Sequence, residues 1–135
     1  MFVLDCSVAI AWCLSDESSE YAEKILDLLT KEQAIVPALW HLEVMNVLQM
    51  AQRKNRINKE QIPLILEKLG QLNIETDKAA ININAIDFMQ FVQKYDITSY
   101  DGVYLEISKR EKLPLATLDK KMKSVANELG LYLKI

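Results

Sequence analysis

The sequence predicts an α/β chain, a short central parallel sheet flanked by helices on both faces. Two observations carry this. Short apolar runs recur, and each is followed by a longer segment whose apolar residues fall at helical spacing. Such alternation of strands and helices gives a parallel sheet covered on both sides, so its strands read as apolar throughout. Phe2-Val3-Leu4 is the first run, ending at Asp5. Residues 7–14 read as a short helix. Ser18 or Ser19 caps a second, whose stripe is Ala22, Ile25, Leu26 and Leu29. Ala34-Ile35-Val36 is the next strand, and the fixed φ of Pro37 suits it to open a helix running to about residue 53.

Asn58 caps the following helix, with Ile62, Ile65, Leu66 and Leu69 on its face and Gly70 as its stop. Pro63 lies deeper than the first turn of a helix capped there, so the helix either starts later or is locally distorted. Residues 73–76 form a short strand, then 79–95 a helix. Thr98 or Ser99 opens another helix to about residue 112. Residues 113–117 are a strand, 119–129 a helix and 131–135 a final strand. In open parallel sheets, sites form where strand carboxyl ends meet the next helices, and Asp5 and Asp119 both fall at such ends.

Composition bounds the rest. The chain has 135 residues, half of them hydrophobic, which suffices for one core, and residues 1–135 read as a single domain. No apolar run approaches the ~20 residues a membrane helix needs. The start lacks basic residues and Asp5 interrupts its apolar run, so it does not read as a signal peptide. A cytoplasmic protein is expected. Cys6 and Cys13, two helical turns or ~10 Å apart, are too distant for a disulfide and read as buried, reduced thiols. With no CxxC and one His, a structural zinc site is excluded. The net charge of −3 means that a polyanion must be met by a local basic patch or a bound cation.

Three acids have ready structural roles. Asp5 and Asp119 sit where helix N-caps belong, and Asp101 lies in a first turn, three residues after Thr98, where it could complete a capping box. Glu43 has none. On a helix over residues 37–53 it shares a face with Leu39, Trp40, Val47 and Met50. An ionised carboxylate there costs several kcal/mol (about that order) unless paired or metal-bound. Arg53 or Lys54 could fold back to pair it, but a cation site better explains the acid.

Four segments together resemble the PIN domain family over essentially the whole chain. Met1-Phe2-Val3-Leu4-Asp5-Cys6-Ser7-Val8-Ala9 resembles its opening strand, acid and following Ser. Pro37-Ala38-Leu39-Trp40-His41-Leu42-Glu43-Val44-Met45-Asn46-Val47-Leu48 resembles its second motif. Ser99-Tyr100-Asp101-Gly102-Val103-Tyr104-Leu105 resembles the third, and Leu113-Pro114-Leu115-Ala116-Thr117-Leu118-Asp119 the fourth. Each motif is weak alone; all four in order are specific.

The resemblance implies a metal-dependent endoribonuclease, similar to the VapC-type toxin of a VapBC toxin–antitoxin pair. It further implies a cognate VapB-like antitoxin whose tail covers a groove near the first four helices, and a homodimer. Hard Mg²⁺, or Mn²⁺ in its place, prefers carboxylate and water oxygens. Asp5 and Asp101 are the expected direct ligands, Glu43 would bind a second ion or hold a metal-bound water, and Asp119 completes the catalytic set. Ser7 and Thr117 are expected to hydrogen-bond these carboxylates. His41, two positions from Glu43 and so nearly opposite on the helix, has no expected role.

Basic residues concentrate late. Lys109, Arg110 and Lys112 read as a solvated helix face. Lys120 and Lys121 stand in a first turn, where cations oppose the helix dipole. A local rule broken beside a proposed site acid points to function, so Lys120, Lys121 and Lys123 are candidates to meet RNA phosphates. Tyr100, Tyr104, Trp12 and Trp40 could stack bases, with core packing preferred for both Trp. Met45, Met50, Leu26 and Leu29 could face a partner or the core.

Phosphotransfer on a parallel sheet is excluded. HAD-type enzymes need a second Asp where Ser7 stands, and receiver domains need an early acidic pair that Asp5-Cys6 does not supply. The remaining alternative is a PIN-like module that binds RNA or protein without cutting.

Overall fold

A computed structural model describes residues 1–78 and 83–135. Four parallel strands make one sheet in the order β3-β2-β1-β4. In chain order the elements are β1 (Phe2–Leu4), α1 (Cys6–Cys13), a 3-10 turn (Ser15–Glu17), α2 (Glu20–Leu28), β2 (Ala34–Pro37) and α3 (Ala38–Arg53). Then come α4 (Gln61–Gly70), β3 (Ile74–Asp77), α5 (Ala85–Tyr95), α6 (Ser99–Glu111), β4 (Leu115–Ala116) and α7 (Lys120–Glu128). The α/β class and the parallel sheet are as the sequence predicts. Phe2, Val3 and Leu4 are all fully buried, so β1 is covered on both sheet faces.

The strand order positions the site. From β1 the chain moves outward through β2 to β3, then returns to lay β4 on the other side of β1. The direction of progression therefore reverses between β1 and β4, and ligands of open α/β sheets bind at such a reversal, beyond the strand carboxyl ends. The Asp5 amide donates to the Ala116 carbonyl at 3.0 Å, pinning the two strand ends together.

Most expected caps are present. The Ser19 hydroxyl accepts from the Ala22 amide, and that of Thr98 from the Asp101 amide. Asn58 and Gln61 exchange bonds, the Asn58 amide donating to the Gln61 side chain and the Gln61 amide to that of Asn58. The regular helix begins only at Gln61, so Pro63 falls in its first turn, where an amide proton is not needed. The helix expected over 79–95 is described from Ala85; residues 79–82 lie outside the described residues.

Two expectations need correction. Residues 131–135 are not a strand: Tyr132 makes only an isolated bridge to Leu115. The Leu115 amide and carbonyl bond Leu131 and Leu133, and β4 is only two residues long, so the ladder has nothing to extend along. Cys13 is half-buried, not buried like Cys6, though both thiols are free. Among the described residues no helix is long and apolar enough to cross a membrane.

Candidate functional site

Four elements bring four acids to the sheet reversal. Asp5 follows β1, Asp119 follows β4, Asp101 stands in the first turn of α6, and Glu43 lies midway along α3. Asp5 is 5% exposed, and its expected role as a helix cap is not what its side chain does. Its carboxylate instead accepts two hydroxyl bonds on one oxygen, Oδ2, from Ser7 at 2.6 Å and Thr117 at 2.8 Å. Those hydroxyls are fixed in turn, because the Leu118 amide donates to Ser7 and the Asp119 amide to Thr117. With their lone pairs engaged by amides, both hydroxyl protons are left for Asp5. Ser7 and Thr117 thus contact the carboxylate that the sequence assigned them.

Glu43 is half-buried between turns that carry buried Trp40 and half-buried Val47, while Met50 is exposed. Neither Arg53 nor Lys54 pairs with it. Its partner is Tyr104, whose phenol donates to Oε1. Tyr104 is fully buried in α6, so it cannot stack a base; that expectation is corrected. The sequence does carry a signal for this bond: Tyr104 lies one helical turn beyond Asp101, and a buried phenol needs an acceptor.

Asp101 is half-buried, and its amide, not its carboxylate, takes part in the Thr98 cap, so the capping box is only half made. Asp119 is exposed and caps α7, accepting from the Met122 amide at 2.9 Å. His41 turns to Thr76 on β3 at 2.9 Å.

Charge couples these acids. Burial raises the Asp5 carboxyl above its usual range, against the lowering hydroxyl bonds, and the charge of Asp119 raises it further. Burial also raises Glu43, with the charges of Asp5 and Asp101 adding to the effect. Asp101 is raised by burial and then by Asp5 and Asp119. Among the described residues, however, no three His, Cys, Asp or Glu side chains converge to hold an ion. Mutual electrostatic reach, not ligand distance, unites this group. Its donor chemistry still fits a hard divalent cation: every candidate ligand is a carboxylate, and repulsion between them favours a positive charge.

The surroundings are open. A cleft of about 420 Å³ between α5 and α6, lined by Asn84, Phe88, Phe91, Glu106 and Arg110 among others, contains none of the four acids. Arg110 there is tied to Asp77, Glu106 and Glu111, and Lys109 lies over the Phe91 ring. Lys120, Lys121 and Lys123 are exposed, Lys123 resting 5.0 Å from the Tyr132 ring centroid. Tyr100 is exposed, Trp40 is buried, and the half-buried Trp12 donates to the Ala22 carbonyl. Leu29 is buried and Leu26 half-buried, whereas Met45 and Met50 are exposed.

A reversed parallel sheet with coupled acids around the reversal defines an α/β protein with a candidate acidic site. The PIN domain family model matches residues 2–128, and the chain belongs to that family, whose members are generally nucleases and typically use divalent metals. Three solved structures share the fold. PAE2754 from Pyrobaculum aerophilum has a TM-score of 0.69 at 18% identity, covering 91% of this chain and 82% of that one. FitAcB from Neisseria gonorrhoeae has 0.65 at 21%, covering 94% of each. A toxin–antitoxin complex from Klebsiella pneumoniae has 0.56 at 18%, covering 90% and 88%. A comparison with curated protein sequences gives no significant match.

Proposed function

We propose that this chain is a divalent-metal-dependent endoribonuclease and the cytoplasmic toxin of a VapBC-type toxin–antitoxin pair. The observation that carries this is the acid group at the sheet reversal: Asp5 is coupled by charge to Glu43, Asp101 and Asp119, and Asp101 to Glu43 and Asp119, although they are scattered along the sequence. We assign Asp5 and Asp101 as direct ligands of Mg²⁺ or Mn²⁺, with Glu43 binding a second ion or holding a metal-bound water and Asp119 adding catalytic charge while capping α7. When bound, the cation supplies a water of lowered pKa and offsets charge on the scissile phosphate. Ser7 and Thr117 hold the plane of the Asp5 carboxylate, and the lysines after Asp119 meet the RNA backbone.

The solved toxin–antitoxin complex of similar fold supports the toxin reading. An apolar cleft of about 310 Å³, lined by Trp12, Leu26, Ile65, Leu69 and Leu72 among others, supports a VapB-like antitoxin tail near the first four helices. A homodimer would cover apolar side chains such as Ile86 and Met89, exposed on α5.

One observation favours the second reading, a PIN module that binds without cutting: among the described residues no three acids converge to hold an ion. Incubating the protein with structured RNA and Mn²⁺, with and without chelator, separates the two. Cleavage should stop with chelator and fall more than about a hundredfold in Asp101→Asn, since outer-shell partners of metal ligands alone cost about ten- to a hundredfold. Cleavage indifferent to both would reject the nuclease reading. RNA binding without cleavage would establish the second.

A further inference from the structure

Among the described residues, Tyr100 is the one exposed aromatic side chain, at 63% exposure, and every other is buried or half-buried. Tyr21 stacks on Tyr132 and Phe91 meets Tyr95, whereas Tyr100 has no ring or cation partner among these residues and lies outside the core. A lone exposed ring is ordinary on a protein surface; its place is what singles this one out. Tyr100 stands in the first turn of α6, next to Asp101. That helix packs on β1 and β4, the strands that lead into Asp5 and Asp119. Asp101 lies within charge reach of Asp119, and exposed Lys120 and Lys121 follow Asp119 directly. An exposed ring therefore adjoins one acid of this pair, and two exposed ammonium groups adjoin the other.

Single-stranded RNA is held by this combination, cations meeting its phosphates and an aromatic face meeting an unpaired base. A duplex offers no such base, because each is already stacked between its neighbours. We infer that Tyr100 stacks on an unpaired base of single-stranded RNA that passes Asp101 and Asp119. The inference rests on the nuclease reading proposed above and narrows its substrate to unpaired RNA. It requires no bound cation, so binding can be measured in chelator.

The test is fluorescence anisotropy with labelled oligo(U), and with abasic RNA of the same length, which keeps the phosphates and lacks the bases. The full chain is compared with Tyr100→Ala, Tyr100→Phe and the Lys120→Gln, Lys121→Gln double variant, with melting curves to confirm folding. Tyr100→Ala should weaken oligo(U) binding about tenfold, within the range for one base–aromatic stack, and leave the salt slope unchanged. Tyr100→Phe, which keeps the ring, should stay within about twofold of the original. On abasic RNA, Tyr100→Ala should alter affinity less than about twofold, because no base remains to stack. Equal weakening on both RNAs overturns the inference, as does loss of affinity in Tyr100→Phe equal to that in Tyr100→Ala. If the lysine variant weakens oligo(U) binding and Tyr100→Ala does not, the stacking role fails alone. A lowered solution mass in that same Tyr100→Ala protein would assign the ring to a contact between copies of this chain. If the unaltered chain binds neither oligo(U) nor structured RNA, the nuclease reading fails and takes this inference with it.

Discussion

Asp5 shows at the scale of one residue how a site works against stability. Burial is the largest influence on its carboxyl and raises it, and the two hydroxyl bonds only moderate the effect. The unfolded carboxyl titrates near its ordinary 3.8, the folded one higher. Between those values the folded chain binds a proton that the unfolded chain has lost. Stability therefore falls as pH rises through that window, and the deficit persists above it. Asp5→Asn, which keeps an oxygen acceptor and removes the charge, should melt higher than wild type at neutral pH without metal. Its advantage should shrink as pH is lowered toward 4 (roughly the ordinary carboxyl range) and as Mg²⁺ is added to the wild type. Melting curves across pH check this; an advantage independent of pH would mean that charge burial is not the cause. Asp119 is exposed, and its carboxylate caps α7.

Among the elements, α6 bears the most constraint, with the Thr98 cap, Asp101, Gly102 and Tyr104 in its first two turns. Gly102 faces α5 so closely that a Cβ would lie 2.5 Å from Val92 Cγ1 and 3.1 Å from Phe88 Cζ. Gly102→Ala would gain ~1 kcal/mol of helix propensity. Against this, overpacking costs about 1–3 kcal/mol, and buried, β-branched Val92 has little freedom to yield. We expect a net loss, read as a lower urea midpoint at unchanged slope. A higher midpoint would show that α5 gives way. Because Asp101 precedes Gly102, a displaced α6 should also weaken RNA cleavage. The caps at Ser19 and Thr98 were legible in sequence, since capping joins residues only three positions apart, whereas Glu60, not Asn58, stands at the cap of α4. The false strand at 131–135 was not, because a strand needs a partner of matching length and β4 offers two residues.

Across the whole molecule, the proposed nuclease function requires local positive charge on a protein of net charge −3. Arg110 is committed to Asp77, Glu106 and Glu111, whereas Lys120 and Lys121, which follow the Asp119 cap, are exposed. Changing both to Gln should weaken single-stranded RNA binding and reduce its salt slope by about 1.4, at ~0.7 per phosphate contact. Filter binding across a salt series checks it, and an unchanged slope would assign these lysines to solvent alone. Taken by itself, the sequence determined the α/β class and nearly every helix and strand, because periodicity and caps are written locally, and it singled out the four acids proposed for the site. The chain could not show that the Asp5 side chain gives up its cap, that Glu43 meets Tyr104, or that Arg110 is spent on an ion cluster. The Arg110–Asp77 and Tyr104–Glu43 bonds join residues 33 and 61 positions apart, and Thr117 reaches Asp5 across 112. Only the packing of helices around a reversed sheet decides them, because burial makes a polar group find whichever partner the fold brings within reach.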